Sequence, residues 1–280
     1  MFGGTVDFGT VVSAEVVQEE RRGKLFLDDG RGVLSEADSG TYIEERGFVH
    51  LFAPGKLPWP NVSDAELRAR GSIETFSLNV WHWKNTLPAQ KQCAYGHYLR
   101  NRGIFISWQF FPKFRQIWGL HEPADRVLES GLLQPIERHL LQVIAVQGPV
   151  RSLELRREVQ ALSGASKRQY QAALRTLQER FLITVAGGSV EGFSMHDWDL
   201  VERHVPPEAM MAVLSEDEAR GQLIRQAVAN APYCTAREVV LLFGWERKQV
   251  EAELGALVED GVLSGAEVEG QKDIVYHVID

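Results

Sequence analysis

The sequence predicts an α+β protein built from tandem winged-helix (helix-turn-helix) modules with small β-hairpin wings. Three observations support this prediction. Apolar residues recur at helical spacing in the C-terminal half, capping residues precede these runs, and the same order of elements occurs twice, about 80 residues apart. We expect an N-terminal α+β domain over residues 1–133, a first winged helix over 134–207 and a second over 208–280.

The first module is predicted from its three helices. The first helix runs from Gln134 to Gln147 and stops at a Gly-Pro pair. Ser152 is expected to cap a short second helix, and Ser166-Lys-Arg-Gln169 fits a capping box at the start of the third. The hairpin is predicted from three features: the run Phe181-Leu-Ile-Thr-Val185, a turn at Gly187-Gly188-Ser189 and an apolar run around Phe193.

The second module repeats this order. Ser215-Glu-Asp-Glu218 and Thr235-Ala-Arg-Glu238 open its first two helices, and a third is expected from about Glu246 to Asp260. Two apolar runs around a turn at Gly270 then predict the second hairpin.

The N-terminal region has weaker patterns. We expect helices over Ser35–Glu45, Asn79–Asn85, Ala89–Leu99 and Pro112–Trp118, and extended segments over Gly47–Phe52 and Gly103–Ser107. Three prolines predict a loop over residues 53–60, and the first 33 residues, with a turn at Asp28–Gly30, are expected to form an ordered extension.

Composition excludes several classes of protein. No run of about 18 apolar residues exists, so we expect no membrane span, and the N-terminus lacks the pattern of a secretory signal. Cys93 and Cys234 do not have the spacing of metal ligands, and one disulfide between them is an open alternative. We therefore expect a cytoplasmic protein with reduced thiols and with no metal or cofactor.

Positive charge is concentrated in one segment of an otherwise acidic chain. The net charge is −8, yet residues 81–120 carry +6 with no acid, while residues 201–280 carry −8. The six cations are Lys84, Lys91, Arg100, Arg102, Lys113 and Arg115. Burying unpaired charges is costly, so these cations face either acids elsewhere in the chain or a polyanion. We predict that they contact DNA phosphates.

Ten aromatic residues lie in the same segment: Trp81, Trp83, Tyr95, Tyr98, Phe105, Trp108, Phe110, Phe111, Phe114 and Trp118. Two interpretations are open. Most of these rings could form the N-terminal core, or some could stack on the bases of single-stranded or distorted nucleic acid. His82 and His97 are expected to be neutral and hydrogen bonded, because no acid or cysteine nearby completes a metal site.

The third helix of the first module is the predicted recognition helix. Lys167 and Arg168 lie at its start and Arg175 on its polar face, where they could contact phosphates, while Gln169 and Gln171 could read base edges. The corresponding helix of the second module is surrounded by acids, which would repel phosphate. The second module is therefore interpreted as a structural unit or a contact site for a protein partner.

Four segments resemble a known family: Gly47-Phe-Val-His-Leu-Phe-Ala-Pro54, Trp81-His-Trp-Lys-Asn85, Tyr95-Gly-His-Tyr-Leu-Arg100 and Ile104-Phe-Ile-Ser107. Over about residues 34–200 the chain resembles the AlkZ-related proteins, winged-helix proteins akin to the AlkZ/YcaQ interstrand-crosslink DNA glycosylases. The resemblance implies tandem winged helices around a concave DNA-binding surface.

The resemblance does not carry a catalytic site over. The glycosylases use a Gln-x-Gln or Gln-x-Asp motif near the N-terminus, whereas the string here, Gln90-Lys-Gln92, lies inside the aromatic segment. Gln90 and Gln92 are therefore weak catalytic candidates. We predict a DNA-binding protein, linked to DNA damage response or repair and without glycosylase activity. The alternative is a non-enzymatic adaptor or transcription regulator whose winged helices contact proteins.

Overall fold

The computed structural model describes residues 11–25, 32–74, 76–189, 195–211, 214–270 and 273–279. The protein is α+β, as predicted, and its strands form one four-stranded and two three-stranded sheets. No helix in these ranges is long and apolar enough to cross a membrane. Cys93 and Cys234 are both buried free thiols, so the disulfide left open by the sequence is not formed.

The N-terminal region alternates short helices and strands. In chain order these are β1 (Val11–Val12), α1 (Ala14–Gly23), α2 (Glu36–Arg46), β2 (Phe48–His50), α3 (Val62–Ala69), α4 (Leu78–Ala89), β3 (Ala94–Leu99), β4 (Arg102–Ile106), α5 (Phe111–Trp118) and α6 (Ala124–Glu129). Antiparallel strands in the order β2-β4-β3 form its sheet. The predicted helices over 35–45, 79–85 and 112–118 are confirmed within a few residues, as are both extended segments.

One predicted helix is wrong. Of the predicted range 89–99 only Ala89 is helical, because α4 ends at Ala89 and β3 starts at Ala94. Pro88 occupies the last turn of α4, and Lys91 adopts a left-handed φ of 53° that a helix cannot continue. Tyr95 and Leu99 are therefore strand residues, and the apolar pattern that resembled a helix belongs to a strand that is buried on both faces.

The first C-terminal unit follows the predicted order of elements. It contains α7 (Pro135–Gln147), β5 (Val150–Arg151), α8 (Ser152–Ser163), α9 (Lys167–Glu179), β6 (Ile183–Gly188) and β7 (His196–Leu200), with β7 between β5 and β6. The Ser166–Gln169 capping box of α9 is confirmed. Ser152 is not a cap, since its hydroxyl instead donates to the carbonyl of His196, at 2.7 Å.

The hairpin of this unit differs from the prediction in its details. Strand β6 extends to Gly188, so Gly187 and Gly188 are strand residues and not turn residues as predicted. The apolar run around Phe193 lies outside the described residues. Two short helices, α10 (Val201–His204) and α11 (Pro207–Met210), then lead to the last unit.

The last unit repeats the order helix, strand, helix, helix, strand, strand. It contains α12 (Glu216–Asn230), β8 (Cys234–Thr235), α13 (Ala236–Phe243), α14 (Arg247–Glu259), β9 (Leu263–Val268) and β10 (Ile274–Val278). Both predicted capping residues, Ser215 and Thr235, form capping boxes. The N-terminal extension is ordered where it is described, because β1 adds to this sheet by parallel pairing with β9. The predicted turn at Asp28–Gly30 lies outside the described residues.

Two hydrophobic cores join the N-terminal region to the two units. The first packs α4 and the Tyr95 face of the N-terminal sheet against α7, α8, α9 and β7. The second packs the other side of that sheet, together with α5, against α12, α13 and α14. Stacking of Trp118 on Trp245, with centroids 5.5 Å apart, extends the second core across the contact. Most rings of the aromatic segment are therefore core residues, and the domain boundaries at 133/134 and 207/208 stay predictions.

Candidate nucleic-acid interface

Two adjoining cavities lie where the N-terminal sheet meets the first C-terminal unit. Their volumes are about 500 and 170 Å³, and three side chains, those of Tyr95, His97 and His196, line both. Helix α4, strand β4 and the segment after β2 complete the larger cavity, and α9 completes the smaller one. We call the two cavities together the groove.

Cationic and aromatic side chains both line the groove, which is unusual for an acidic protein. Its cations are Lys84, Arg102 and Arg175, and its aromatic rings include Trp81 and Tyr95. No aspartate or glutamate of the described chain lines either cavity. The groove therefore presents positive charge beside flat apolar rings, a combination suited to phosphates and bases.

Lys84 is a buried lysine at the wall of the larger cavity. The residue is 3% exposed, and its Nζ lies 3.0 Å from the centroid of the Trp81 ring. Within the described residues Lys84 has no hydrogen bond or ion pair. Burial lowers its pKa from the ordinary value near 10.5 to about 7, because the charged ammonium loses its solvation.

Two histidines of the groove are held in their neutral forms. Burial, with smaller contributions from Lys84 and His97, lowers the pKa of His196 to about 3. The pKa of His97 is also lowered, mainly by burial. His82 lies on α4 outside the groove. Neutral imidazoles at this position can accept or donate hydrogen bonds to a polar ligand without adding charge.

Asn85 fixes the tautomer of His196. Its Nδ2 donates to the carbonyl of Ser189 at 3.1 Å, so its Oδ1 is the atom that faces His196 Nδ1, at 2.6 Å. His196 Nδ1 therefore carries the proton and Nε2 carries the lone pair. A hydrogen-bond acceptor is thereby provided at the wall of the groove.

The turn between β3 and β4 places two arginines beside the groove. Arg100 and Asn101 have φ values of 49° and 57°, which fits a two-residue hairpin turn. Arg102 lines the larger cavity, and its shielded Nη1 has no hydrogen-bond partner in the described structure. Arg100 is exposed and lies close to Gly244 of the last unit. Arg102 is thus a cation at the wall of the larger cavity, with one shielded donor that no described residue satisfies.

Helix α9 contributes the other wall. Gln171 and Arg175 line the smaller cavity, and Lys167 and Arg168 are exposed at the start of the helix. Gln169 was predicted to read base edges, but its Oε1 accepts from the backbone N–H and the hydroxyl of Ser166, the capping serine. Its acceptor is used locally, and Gln171 is the better candidate for contact with a base edge.

Besides Arg102, three of the six cations in the aromatic segment are buried or half-buried. Lys84 is buried as described, and Lys113 is 8% exposed, donates to the carbonyl of Gln109 at 2.6 Å and lies over the Phe110 ring. Arg115 is half-buried and donates to the carbonyl of His121. The expectation that no buried cation could lack an acid partner was wrong for the two lysines, because backbone and ring contacts and lowered pKa values make burial tolerable.

Lys91 is the remaining cation. Its side chain is exposed in the loop after α4, and it does not line the groove. The structure therefore brings Lys84, Arg102 and Arg175 to the groove. Arg100 adjoins Arg102 in the turn but lies close to Gly244, and Lys91, Lys113 and Arg115 lie elsewhere.

The candidate catalytic glutamines lie away from both cavities. Gln92 Nε2 donates to Gln90 Oε1 at 2.6 Å, and Gln90 Nε2 donates to Glu36 at 2.9 Å. Both glutamines are exposed, and neither lines the groove. This chain of hydrogen bonds joins the end of α4 to the start of α2.

Sequence reasoning missed Asn85, His196 and Trp198. His196 and Trp198 line the groove, and Asn85 supports His196 from behind, because the β6–β7 hairpin packs against α4. Asn85 and His196 are 111 positions apart in the sequence. A His-x-Trp pattern at 196–198 was the one local signal, and it does not indicate proximity to the aromatic segment.

Comparison with known proteins agrees with the fold. A family model described as "AlkZ related" matches residues 34–244. The structure is similar to that of DNA glycosylase AlkZ from Streptomyces sahachiroi, with a TM-score of 0.62 and 14% identity, over 96% of this chain and 70% of that chain. No curated protein matches the chain. The family match covers most of the sequence, and the chain belongs to the AlkZ-related family.

Proposed function

We propose that this protein binds DNA in the groove and acts in the recognition or repair of damaged DNA. The observation that carries the proposal is the acid-free lining of the groove, in which Arg102, Arg175 and Lys84 lie beside Trp81 and Tyr95. A polyanion gains from the cations, and an unstacked base gains from the rings. The larger cavity, of about 500 Å³, falls in the size range of ligand pockets, so one extruded nucleotide is a suitable occupant.

The two C-terminal units are proposed to be winged helices. Their order of helix, strand, helix, helix, strand, strand, with the first short strand paired to the last, supports this assignment. In the first unit α9 has the position of a recognition helix, and Lys167 and Arg168 are exposed at its start. Phosphate contacts there would extend the footprint of the groove.

The proposal gives Gln90 and Gln92 no catalytic role. Their hydrogen bonds to each other and to Glu36 explain both residues, and they do not reach the groove. Membership of the AlkZ-related family and the AlkZ-like fold support a connection to DNA repair without supplying a catalytic group. We therefore propose that the protein recognises DNA and that Gln90 and Gln92 do not excise a base.

Fluorescence anisotropy with labelled single-stranded and duplex oligonucleotides tests the proposal. Replacing Arg102 or Arg175 by Gln should weaken binding about 10- to 150-fold, since charged hydrogen bonds contribute about 1.5–3 kcal/mol. Lys248→Gln, on the exposed surface of the acidic last unit, is the matched control and should bind as the wild type does. Absence of binding in low salt would refute the proposal and favour the adaptor or regulator alternative, with the acidic last unit as its protein contact.

A further inference from the structure

Lys84 has an environment that differs from the usual environments of lysine. A buried lysine ordinarily pairs with a carboxylate or donates to backbone carbonyls. Lys113 shows the ordinary case, because its Nζ donates to the carbonyl of Gln109. Lys84 has neither kind of partner among the described residues, and its Nζ lies over the Trp81 ring at the wall of a cavity.

The groups around Lys84 keep its amine available. His97, His196, Tyr95 and Arg102 face the same cavity, and none of them is an acid that would hold a proton on the amine. Both histidines have lowered pKa values and the tyrosine a raised one, so Arg102 is the single fixed charge of this set at neutral pH. A lysine desolvated in an apolar pocket is a known arrangement for an activated amine nucleophile.

We propose that Lys84 forms an imine with an aldehyde bound in the larger cavity, in particular the ring-opened sugar of an abasic nucleotide. Imine formation requires a neutral amine, an aldehyde carbon within reach and shelter from bulk water. The buried Nζ, the cavity of about 500 Å³ and the aromatic wall provide these conditions.

The chemical step is balanced without any other reactant. The Nζ lone pair attacks the aldehyde carbon and opens the C=O π bond, which gives a carbinolamine. Both amine hydrogens then leave with the carbonyl oxygen as water, and the N=C bond forms. No electron transfer occurs, so no oxidant or reductant is needed.

The choice of an abasic sugar rests on the proposed function, since it assumes that DNA enters the groove. Two features of the cavity favour it. An abasic nucleotide brings phosphates on both sides of the aldehyde, and the Arg102 side chain provides a cation at the wall of the cavity. An abasic nucleotide also lacks the stacking that holds an ordinary base in the duplex, so it is extruded at lower cost.

Reductive trapping tests the inference. The protein is incubated at pH 7 with a labelled duplex that contains one abasic site, in the presence of sodium cyanoborohydride, and a denaturing gel reports covalent protein–DNA adduct. The wild type should form the adduct, and Lys84→Arg should lower its yield about tenfold or more, because a guanidinium keeps the charge but forms no imine. Lys113→Met, a buried control, and Lys248→Gln, an exposed control, should keep the wild-type yield.

A second arm separates this inference from DNA binding. The wild type is treated with 2-deoxyribose 5-phosphate and cyanoborohydride, and peptide mass spectrometry locates the adduct. An ordinary lysine is neutral in about one molecule in 2,500 at pH 7, whereas a pKa near 7 leaves about half of Lys84 neutral. Lys84 should therefore be the preferred site. This arm needs no variant, so a folding defect in Lys84→Arg would not affect it.

Each outcome decides between the two claims. Adduct at Lys84 in both arms supports the inference. Normal DNA binding with no adduct at Lys84 in either arm overturns the inference and leaves the proposed function standing. Adduct with the sugar phosphate at Lys84 without DNA binding supports the reactive amine and refutes the proposed function. Equal trapping by Lys84→Arg overturns the inference, because another amine must then react.

Discussion

The stability of the protein should depend on pH through Lys84. In the unfolded chain this lysine keeps its proton up to about pH 10.4, whereas in the folded protein its pKa is about 7. Between these values the unfolded state binds more protons, so the free energy of unfolding must rise with pH. At pH 7 and below the buried ammonium of Lys84 therefore destabilises the folded state. This destabilisation disappears as the pH rises toward 10.

The magnitude follows from linkage. From pH 7 to pH 9 a folded pKa near 7 gives a gain of about 2.3 kcal/mol, at about 1.36 kcal/mol per pH unit. Water that enters the open cavity beside Lys84 stabilises the ammonium, so the expected gain is about 1–2 kcal/mol.

Urea unfolding of the wild type and of Lys84→Met at pH 7, 8 and 9 measures this gain. The free energy of unfolding of the wild type minus that of Lys84→Met should increase by about 1–2 kcal/mol from pH 7 to pH 9. Titrations that both proteins share cancel in this difference. Lys248→Met, which removes an exposed lysine, should show no such shift. A difference between wild type and Lys84→Met that stays constant over this range would refute the reasoning, because Lys84 would then keep its proton in the folded protein.

Three further predictions concern the frame of the groove. Tyr98→Phe should lower stability by about 1–2 kcal/mol in urea unfolding, because the buried hydroxyl of Tyr98 donates to Thr184 at 2.6 Å and ties the N-terminal sheet to the first unit; an unchanged midpoint would contradict this role. Ser166→Ala should cost about 1 kcal/mol in the same assay, since it removes the cap of α9, and substitution by Asp should restore most of the loss. Combined Gln90→Ala and Gln92→Ala should leave DNA affinity unchanged, and base release by the wild type that disappears in this variant would show that the glutamines are catalytic.

Local patterns predicted the C-terminal units well. Capping boxes at Ser166 and Ser215 depend on residues three positions apart, so the sequence displays them directly. The strand over 94–99 was predicted as a helix because an apolar segment buried on both faces lacks the two-residue alternation of a half-buried strand. Tyr95 and Tyr98, a residue type enriched in strands, were the local indications of extended structure.

The groove could be predicted only in part. The concentration of cations and rings over 81–120 indicated a segment that contributes side chains to the groove, but burial decides which of its members can meet a ligand. Lys84 and Lys113 escape the usual cost of a buried charge through contacts that no sequence pattern displays. The pairing of Asn85 with His196 depends on how β7 packs against α4, which is a tertiary property.

The central claim, that the groove binds DNA, is tested most directly by the salt dependence of binding. Phosphate contacts are expected from the groove and from the start of α9, at Arg100, Arg102, Lys167, Arg168 and Arg175. With about three to five contacts, log K against log salt for duplex DNA should have a slope of about −2.7 to −4.5, and Arg102→Ala with Arg175→Ala should flatten it by about two. No binding at about 50 mM salt, or a slope that the double variant leaves unchanged, would contradict the account.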